Sequence, residues 1–218
     1  VASRALGSLL AEKRVQTVTG FNAERIDAAA RKIVGYDGRE VPYDLLVTVP
    51  TNMGSEMIER SGMGDEFRFL PTDPRTLRSK KHANVFAIGD ATDLPTSKAG
   101  SVAHFQAEIL AENVLRAIEG KPLEPAFDGH SNCFVESGHG KAVLIDFNYE
   151  VEPLPGLFPF AWLGPMRLLE PSRINHWGKL AFRWIYWHLI LPGRPIPFVP
   201  SRMKMAGKKR PAEDGAIK

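Results

Sequence analysis

The stretch that most limits what this chain can fold into runs from Val85 to Ile118. Val85-Phe86-Ala87-Ile88 is an apolar run with the composition of a short buried strand, and it ends directly in Gly89-Asp90-Ala91-Thr92. After a loop over 93–99 a helix should open near Gly100 or Ser101. Val102, Phe105, Ile109 and Leu110 recur at helical spacing to about Ile118, and Gly120 supplies the stop. A strand that turns at a glycine into a helix is an α/β building unit. Gly89 permits close backbone approach, Asp90 can accept a hydrogen bond from a sugar-like hydroxyl, and the helix start offers free amides and a positive dipole end to an electron-rich group. Taken alone, a Gly-Asp pair at a strand end is most often only a turn.

Around this unit the pattern is mixed. A helix is expected over 3–14, with Ala5, Leu6, Leu9 and Leu10 on its apolar side, followed by short strands at Val15–Thr19, Arg25–Asp27, Lys32–Gly35 and Val41–Tyr43. Tyr36-Asp37-Gly38 has the chemistry of a hairpin turn. The continuous apolar run Asp44–Pro50 reads as a buried strand, and 51–84 as irregular apart from a short helix at Glu56–Ser61. Residues 131–148 read as a hairpin turning at Ser137–Gly140, and Pro153, Pro155, Pro159 and Pro165 mark an extended segment. From about Ser172 to Leu191, Trp177, Leu180, Ala181, Trp184, Ile185, Trp187, His188 and Leu191 form a broad apolar face with Lys179 and Arg183 elsewhere. That is too short an apolar run for a membrane span of about 20 residues and has the pattern of a helix lying in a membrane interface. A helix docked on the core by the same face is the alternative.

Charge separates the body from the end of the chain. The 218 residues carry a net charge of +3, but from Arg194 onward the net is +5 and the remainder is −2. A near-neutral body argues against a nucleic-acid-binding core, and a basic end fits an anionic surface, with a solvated tail as the alternative. Cys133 is the only cysteine, so an internal disulfide and a cysteine-based zinc finger are excluded. Val1 opens the chain without Met and in mid-pattern, as expected of a piece of a longer protein, and no secretory signal is apparent.

Several familiar chemistries find no support. There is no G-x-G-x-x-G and no G-x-S-x-G, and Gly138-His139-Gly140-Lys141 lacks the first glycine of a phosphate loop. His130, Cys133, Glu136 and His139 recur every three residues, which would align four metal ligands on a helix. The surrounding β-forming residues favour strands instead, where faces alternate every two residues and the four side chains would not converge.

Val85-Phe86-Ala87-Ile88-Gly89-Asp90-Ala91 resembles the second flavin-binding signature of the two-dinucleotide-binding-domain flavoproteins, the group containing the pyridine nucleotide–disulfide oxidoreductases. Three further segments resemble the sulfide:quinone oxidoreductase family: Leu94 to Ala103, Asn132 to Gly138, and Asn175 to Phe182. The resemblance covers nearly the whole chain and points to a C-terminal portion. It implies an α/β fold class, here a partial FAD/NAD(P)-binding Rossmann-like flavoprotein with a C-terminal amphipathic membrane-contact region. Residues 1–43 would close a pyridine-nucleotide-type domain and 44–125 would be the returning part of the FAD domain. Residues 126–200 would be the quinone-side and membrane-contact region, and 201–218 a basic tail.

The implied activity passes electrons from sulfide through FAD to a membrane quinone, with Cys133 as the catalytic thiol and its partner cysteine upstream, so this piece alone should not turn over. Gly89, Asp90, Lys98, Gly100 and Ser101 would contact the cofactor, Lys98 near the pyrimidine end of the flavin. Phe134 and Phe182 would flank the quinone ring, against plain packing as the alternative. No metal site is implied. His104 could relay a proton but is more commonly a structural residue at such a place. The implied partners are sulfide, a membrane quinone and an anionic lipid surface, not nucleic acid, with a homo-oligomer compatible, and the implied location is a peripheral, monotopic membrane position. Alternatives are a type II NADH:quinone oxidoreductase, which has no evident use for Cys133, and a non-catalytic membrane-binding piece.

Overall fold

The computed structural model describes residues 2–210. It divides into two compact units, residues 7–52 and a larger one from Met53 onward that also takes in the first residues of the chain. Helix α1, Ala2–Glu12, opens the chain. The smaller unit holds an antiparallel sheet of three strands, β1 (Ala23–Asp27), β2 (Lys32–Gly35) and β3 (Glu40–Pro42), in that order. The turn joining β2 to β3 forms as expected, with Gly38 at φ 78° and the Asp37 carboxylate accepting the Arg39 N–H at 3.0 Å.

The larger unit contains α2 (Glu56–Arg60), a 3₁₀ turn at Gly89–Ala91, α3 (Gly100–Ile118), a four-stranded sheet and α4 (Arg173–Ile185), which continues as a π-helical turn over Tyr186–Ile190. Strands β4 (Ser131–Gly138), β5 (Lys141–Phe147), β6 (Gly156–Phe158) and β7 (Met166–Leu168) lie in the order β4-β5-β7-β6. The β4–β5 hairpin turns where the sequence placed it, through Gly138, His139 and Gly140, all at positive φ. In β5, flanked on both sides, Ala142, Val143 and Leu144 are all buried, which is why it reads as a continuous apolar run. The core beneath α3 packs Leu77, Leu94, Val102, Phe105 and Phe127, and α3 stops at Gly120 with φ 69°.

Three strand expectations fail. Residues 15–19 and 44–50 form no strand and pair with none among the described residues, and Leu45, Val47 and Val49 are 82%, 86% and 81% exposed. The run 85–88 is half-buried and makes a single bridge, Phe86 with Arg78. An apolar run has strand propensity, but a strand exists only through the neighbour that pairs its backbone. In the other direction, β6 and β7 form within and just after the proline-rich segment; three-residue strands are too short to show a period.

The basic end is also not a free tail within the described residues. Arg202 Nε donates to the Ala126 carbonyl at 2.6 Å, and the Lys208 ammonium is buried against Asp146. Lys208 is therefore unavailable to a lipid headgroup, whereas Arg202, Lys204, Lys209 and Arg210 are exposed. Residues 211–218 of the expected tail lie outside the described residues.

Candidate functional site

The N-terminus of α3 meets β4 and α4 at a pocket of about 230 Å³, lined by Ala99, Gly100, Ser101, Asn132, Cys133, Phe134, Lys179 and Phe182. Five of the residues singled out from the sequence, Gly100, Ser101, Cys133, Phe134 and Phe182, thus share one wall-to-wall space. Sequence-distant elements are held together here by specific contacts. Ser101 Oγ donates to the Asn132 carbonyl at 3.3 Å, joining α3 to β4, and Ser97 Oγ lies 3.5 Å from Cys133 Sγ. The helix N-cap is Ala99, which offers no capping side chain, so the first-turn amides of α3 are not satisfied by one.

A second cavity of about 390 Å³ shares Ser101, Asn132, Phe134 and Phe182 with the first. Its remaining wall is mostly apolar and includes Phe158, Met166, Trp184, Leu189, Ile196 and Phe198. Gly178, in mid-helix, makes this approach workable: a Cβ there would come within 2.6 Å of Met166 Cε and 3.2 Å of Phe134 Cζ. Glycine costs a helix interior roughly 1 kcal/mol relative to alanine, and here it lets α4 close on the aromatic ring.

Gly89, Asp90 and Lys98 do not line either space. Gly89 has φ 62°, and its N–H donates to Gln106 Oε1 on α3 at 2.6 Å. A Cβ at Gly89 would find only Ala103 Cβ at 3.5 Å, so the positive φ and not crowding is what calls for glycine. Asp90 is exposed and has no hydrogen-bond partner among the described residues. Lys98 Nζ donates to the Thr92 carbonyl at 2.7 Å and lies 4.8 Å from the Phe69 ring centroid, fastening the loop between the 3₁₀ turn and α3. Two open clefts of about 500 and 570 Å³ near Arg75 and Lys80 contain none of the residues singled out.

Several contributors were not legible beforehand. Gln106 is fully buried, with Oε1 spent on Gly89 and Nε2 left without a partner. His104, which the sequence offered as a proton relay or a structural residue, lines neither space; it is buried, with Nε2 lacking a hydrogen-bond partner and 3.6 Å from Glu108. Asn132 lines both spaces. At the pocket edge Glu136 accepts from His176 at 3.0 Å and pairs with Lys179 at 3.2 Å. Desolvation pushes the Glu136 carboxyl up, but the His176 and Lys179 contacts outweigh it and hold it below its ordinary value. His130 turns to Asp146 at 2.7 Å while Glu136 turns to α4, so the three-residue spacing along β4 gathers no common centre. No local signal marks Gln106 or Asn132: the first lies between His104 and Glu108 and the second follows His130 and Ser131, so neither stands out from polar neighbours.

Comparison with known proteins adds the decisive observation. The chain is 35% identical over 153 residues to the mitochondrial sulfide:quinone oxidoreductase of Schizosaccharomyces pombe, a match covering 68% of this chain. The chain is a relative of the sulfide:quinone oxidoreductases. The match spans about a third of the yeast protein, 32% of its length. No family model matches. Among solved structures, this sulfide:quinone oxidoreductase relative shares the fold of the sulfide:quinone oxidoreductase from Aquifex aeolicus, with a TM-score of 0.68 and 18% identity over 88% of this chain and 45% of that one. It also shares the fold of a chain in the Tetrahymena thermophila mitochondrial ATP synthase assembly, at TM-score 0.59 and 23% identity over 84% of this chain and 42% of that one. The same fold in two such settings means that activity must be argued from the site.

Proposed function

We propose that this chain supplies the redox thiol, part of the flavin cradle and the quinone pocket of an FAD-dependent sulfide:quinone oxidoreductase. The observation that carries the reading is the shared pocket in which Cys133 lies beside the uncapped start of α3 and the rings of Phe134 and Phe182. Residues 1–43 then close a pyridine-nucleotide-type domain, 44–125 return to the FAD domain, 126–200 form the quinone and membrane side, and the basic segment from 201, apart from the buried Lys208, faces the lipid.

The residues present suit a flavin. The first-turn amides of α3, the unpartnered Asp90 carboxylate and the orphaned buried Gln106 Nε2 are donors and an acceptor in want of a polar partner. Gly89, Asp90, Lys98, Gly100 and Ser101 would hold the cofactor, which when bound supplies a two-electron acceptor and donor. Cys133 is the residue that would bond the substrate sulfur, through the thiolate that is the nucleophilic form of cysteine, and the two electrons released in making that sulfur–sulfur bond would leave with the acceptor that the bound cofactor supplies. Phe134 and Phe182 present flat apolar faces to a quinone ring and exclude water from it. Lys179 Nζ is a proton-bearing atom on the pocket wall, held there by Glu136. Overall, sulfide sulfur loses two electrons and the quinone gains two electrons and two protons.

No helix among the described residues is long and apolar enough to cross a membrane. The exposed Trp177, Leu180, Trp184 and Trp187 on and after α4 support a peripheral, monotopic position from which a quinone enters out of the bilayer. Arg202, Lys204 and Arg210 would add attraction to anionic lipid.

The reading is tested on purified full-length protein by its flavin absorbance and by reduction of decylubiquinone. Sulfide-dependent reduction by a yellow protein is expected. Reduction driven only by NADH would make it a type II NADH:quinone oxidoreductase, and a colourless, inert protein would leave a membrane-binding piece.

A further inference from the structure

Beside the apolar cavity lies a charge cluster that the chemistry above does not use. Asp146 on β5 is only 2% exposed, and its carboxylate gathers three side chains. His130 Nε2 at 2.7 Å and Asn132 Nδ2 at 3.2 Å meet Oδ1, and the buried Lys208 ammonium meets Oδ2. His130 Nδ1 lies 2.9 Å from the Pro200 carbonyl. An ionised carboxylate only accepts, so the Asn132 amide turns its NH₂ toward Asp146. Desolvation pushes the Asp146 carboxyl up, but His130 and then Lys208 bring it below its ordinary value, so it stays ionised.

These contacts converge on the cavity wall. Residues 196–199 line it, and the strap that follows is tied at Pro200 through His130 and again at Lys208 directly, both ties ending on the same carboxylate. Between them, the Met203 N–H donates to Asp128 at 3.0 Å. Asn132 and Phe105, which also line the cavity, are fixed to the cluster, the second by parallel stacking on His130 at 4.8 Å between centroids. A buried ion pair is weak evidence for stability, since desolvation offsets its Coulomb energy, but it does fix geometry.

We propose that Asp146 is a positioning residue for the apolar cavity. Through Lys208 and His130 it clamps the strap 196–208 as one part of the wall, and through Asn132 it orients another, and so sets the affinity for the apolar ligand. The choice of ligand rests on the quinone reading above; the clamp itself rests on this geometry alone.

The test compares Lys208→Met with Lys209→Met in the full chain. Both remove one positive charge, but Lys209 is exposed and outside the cluster. Decylubiquinone binding is read by quenching of tryptophan fluorescence, Trp184 being on the cavity wall, and strap release by the rate of tryptic cleavage after Arg202 or Lys204. Lys208→Met should weaken quinone binding about tenfold and speed cleavage, while Lys209→Met matches the parent in both. Equal binding and equal cleavage for Lys208→Met and the parent would overturn the clamp. If the parent itself does not bind decylubiquinone, the quinone reading fails and the cleavage rates alone decide the clamp, equal rates overturning it. Should Lys208→Met not fold, the paired Asp146→Asn/Lys208→Met variant, which removes anion and cation together, takes its place with the same outcomes.

Discussion

Helices α3 and α4 look alike in sequence and end in opposite situations. Each has an apolar stripe, and each is pinned by one buried asparagine: Asn113 donates to the carbonyls of Thr76 and Glu124, and Asn175 to those of Arg167 and Glu170. The stripe of α3 is covered, with Val102 and Phe105 almost fully buried. That of α4 is largely open, with Trp177 64%, Leu180 60% and Trp184 58% exposed. Periodicity shows that a face prefers to leave water. It does not show what covers it, and in this molecule the covered helix anchors the fold while the open one forms the rim of the cavity.

The largest expected effect breaks the covered side. Phe105→Ala removes a fully buried ring that packs in the core and on His130, and should cost about 3–5 kcal/mol in chemical denaturation of the larger unit. A loss as small as that of a surface substitution would mean that α3 is not the anchor.

The shared asparagine device comes next. Asn175→Ala leaves the Arg167 and Glu170 carbonyls and the Arg167 N–H without their side-chain partner, at about 1–3 kcal/mol, with faster amide exchange in α4 and β7 as the readout.

Acid sharpens the contrast between a helix held by packing and one held by charge. Because the Glu136 carboxyl is lowered in the folded protein, its ties to His176 and Lys179 stabilise fully above its unfolded value. That contribution is lost as pH falls through the folded value, which lies below that of an unperturbed glutamate. Amide exchange in α4 should accelerate there more than in α3, and Glu136→Gln should remove the difference between the helices.

The smallest effect on folding belongs to the open face. Trp177→Ala should change stability by no more than about 0.5 kcal/mol yet reduce flotation with anionic liposomes. Unchanged flotation would make the exposed stripe irrelevant to lipid.

What was legible in the sequence was local. The Gly89-to-Ser101 passage, the β4–β5 turn and the limits of α3 depend on neighbours within a few residues, where turn chemistry and helical spacing act. The pocket was legible only in part: Cys133, Phe134 and Phe182 stood out by resemblance, but no local rule brings Lys179 or Asn132 to them. Asp146 and Lys208 were out of reach, since a buried pair is created by tertiary packing and each residue alone reads as an ordinary surface charge. Asp44–Pro50 shows the converse: its pattern was that of a strand, yet pairing is cooperative and no partner among the described residues supplies it.

The central claim, that Cys133 in the α3–β4–α4 pocket is the sulfur-handling group, is most directly tested by Cys133→Ser in the full-length protein. Serine keeps the size and the contact with Ser97 but cannot form a sulfur–sulfur bond. Sulfide-dependent quinone reduction should fall to background while flavin absorbance per protein is unchanged. Reduction at the parental rate with flavin retained would contradict the account and return Cys133 to packing.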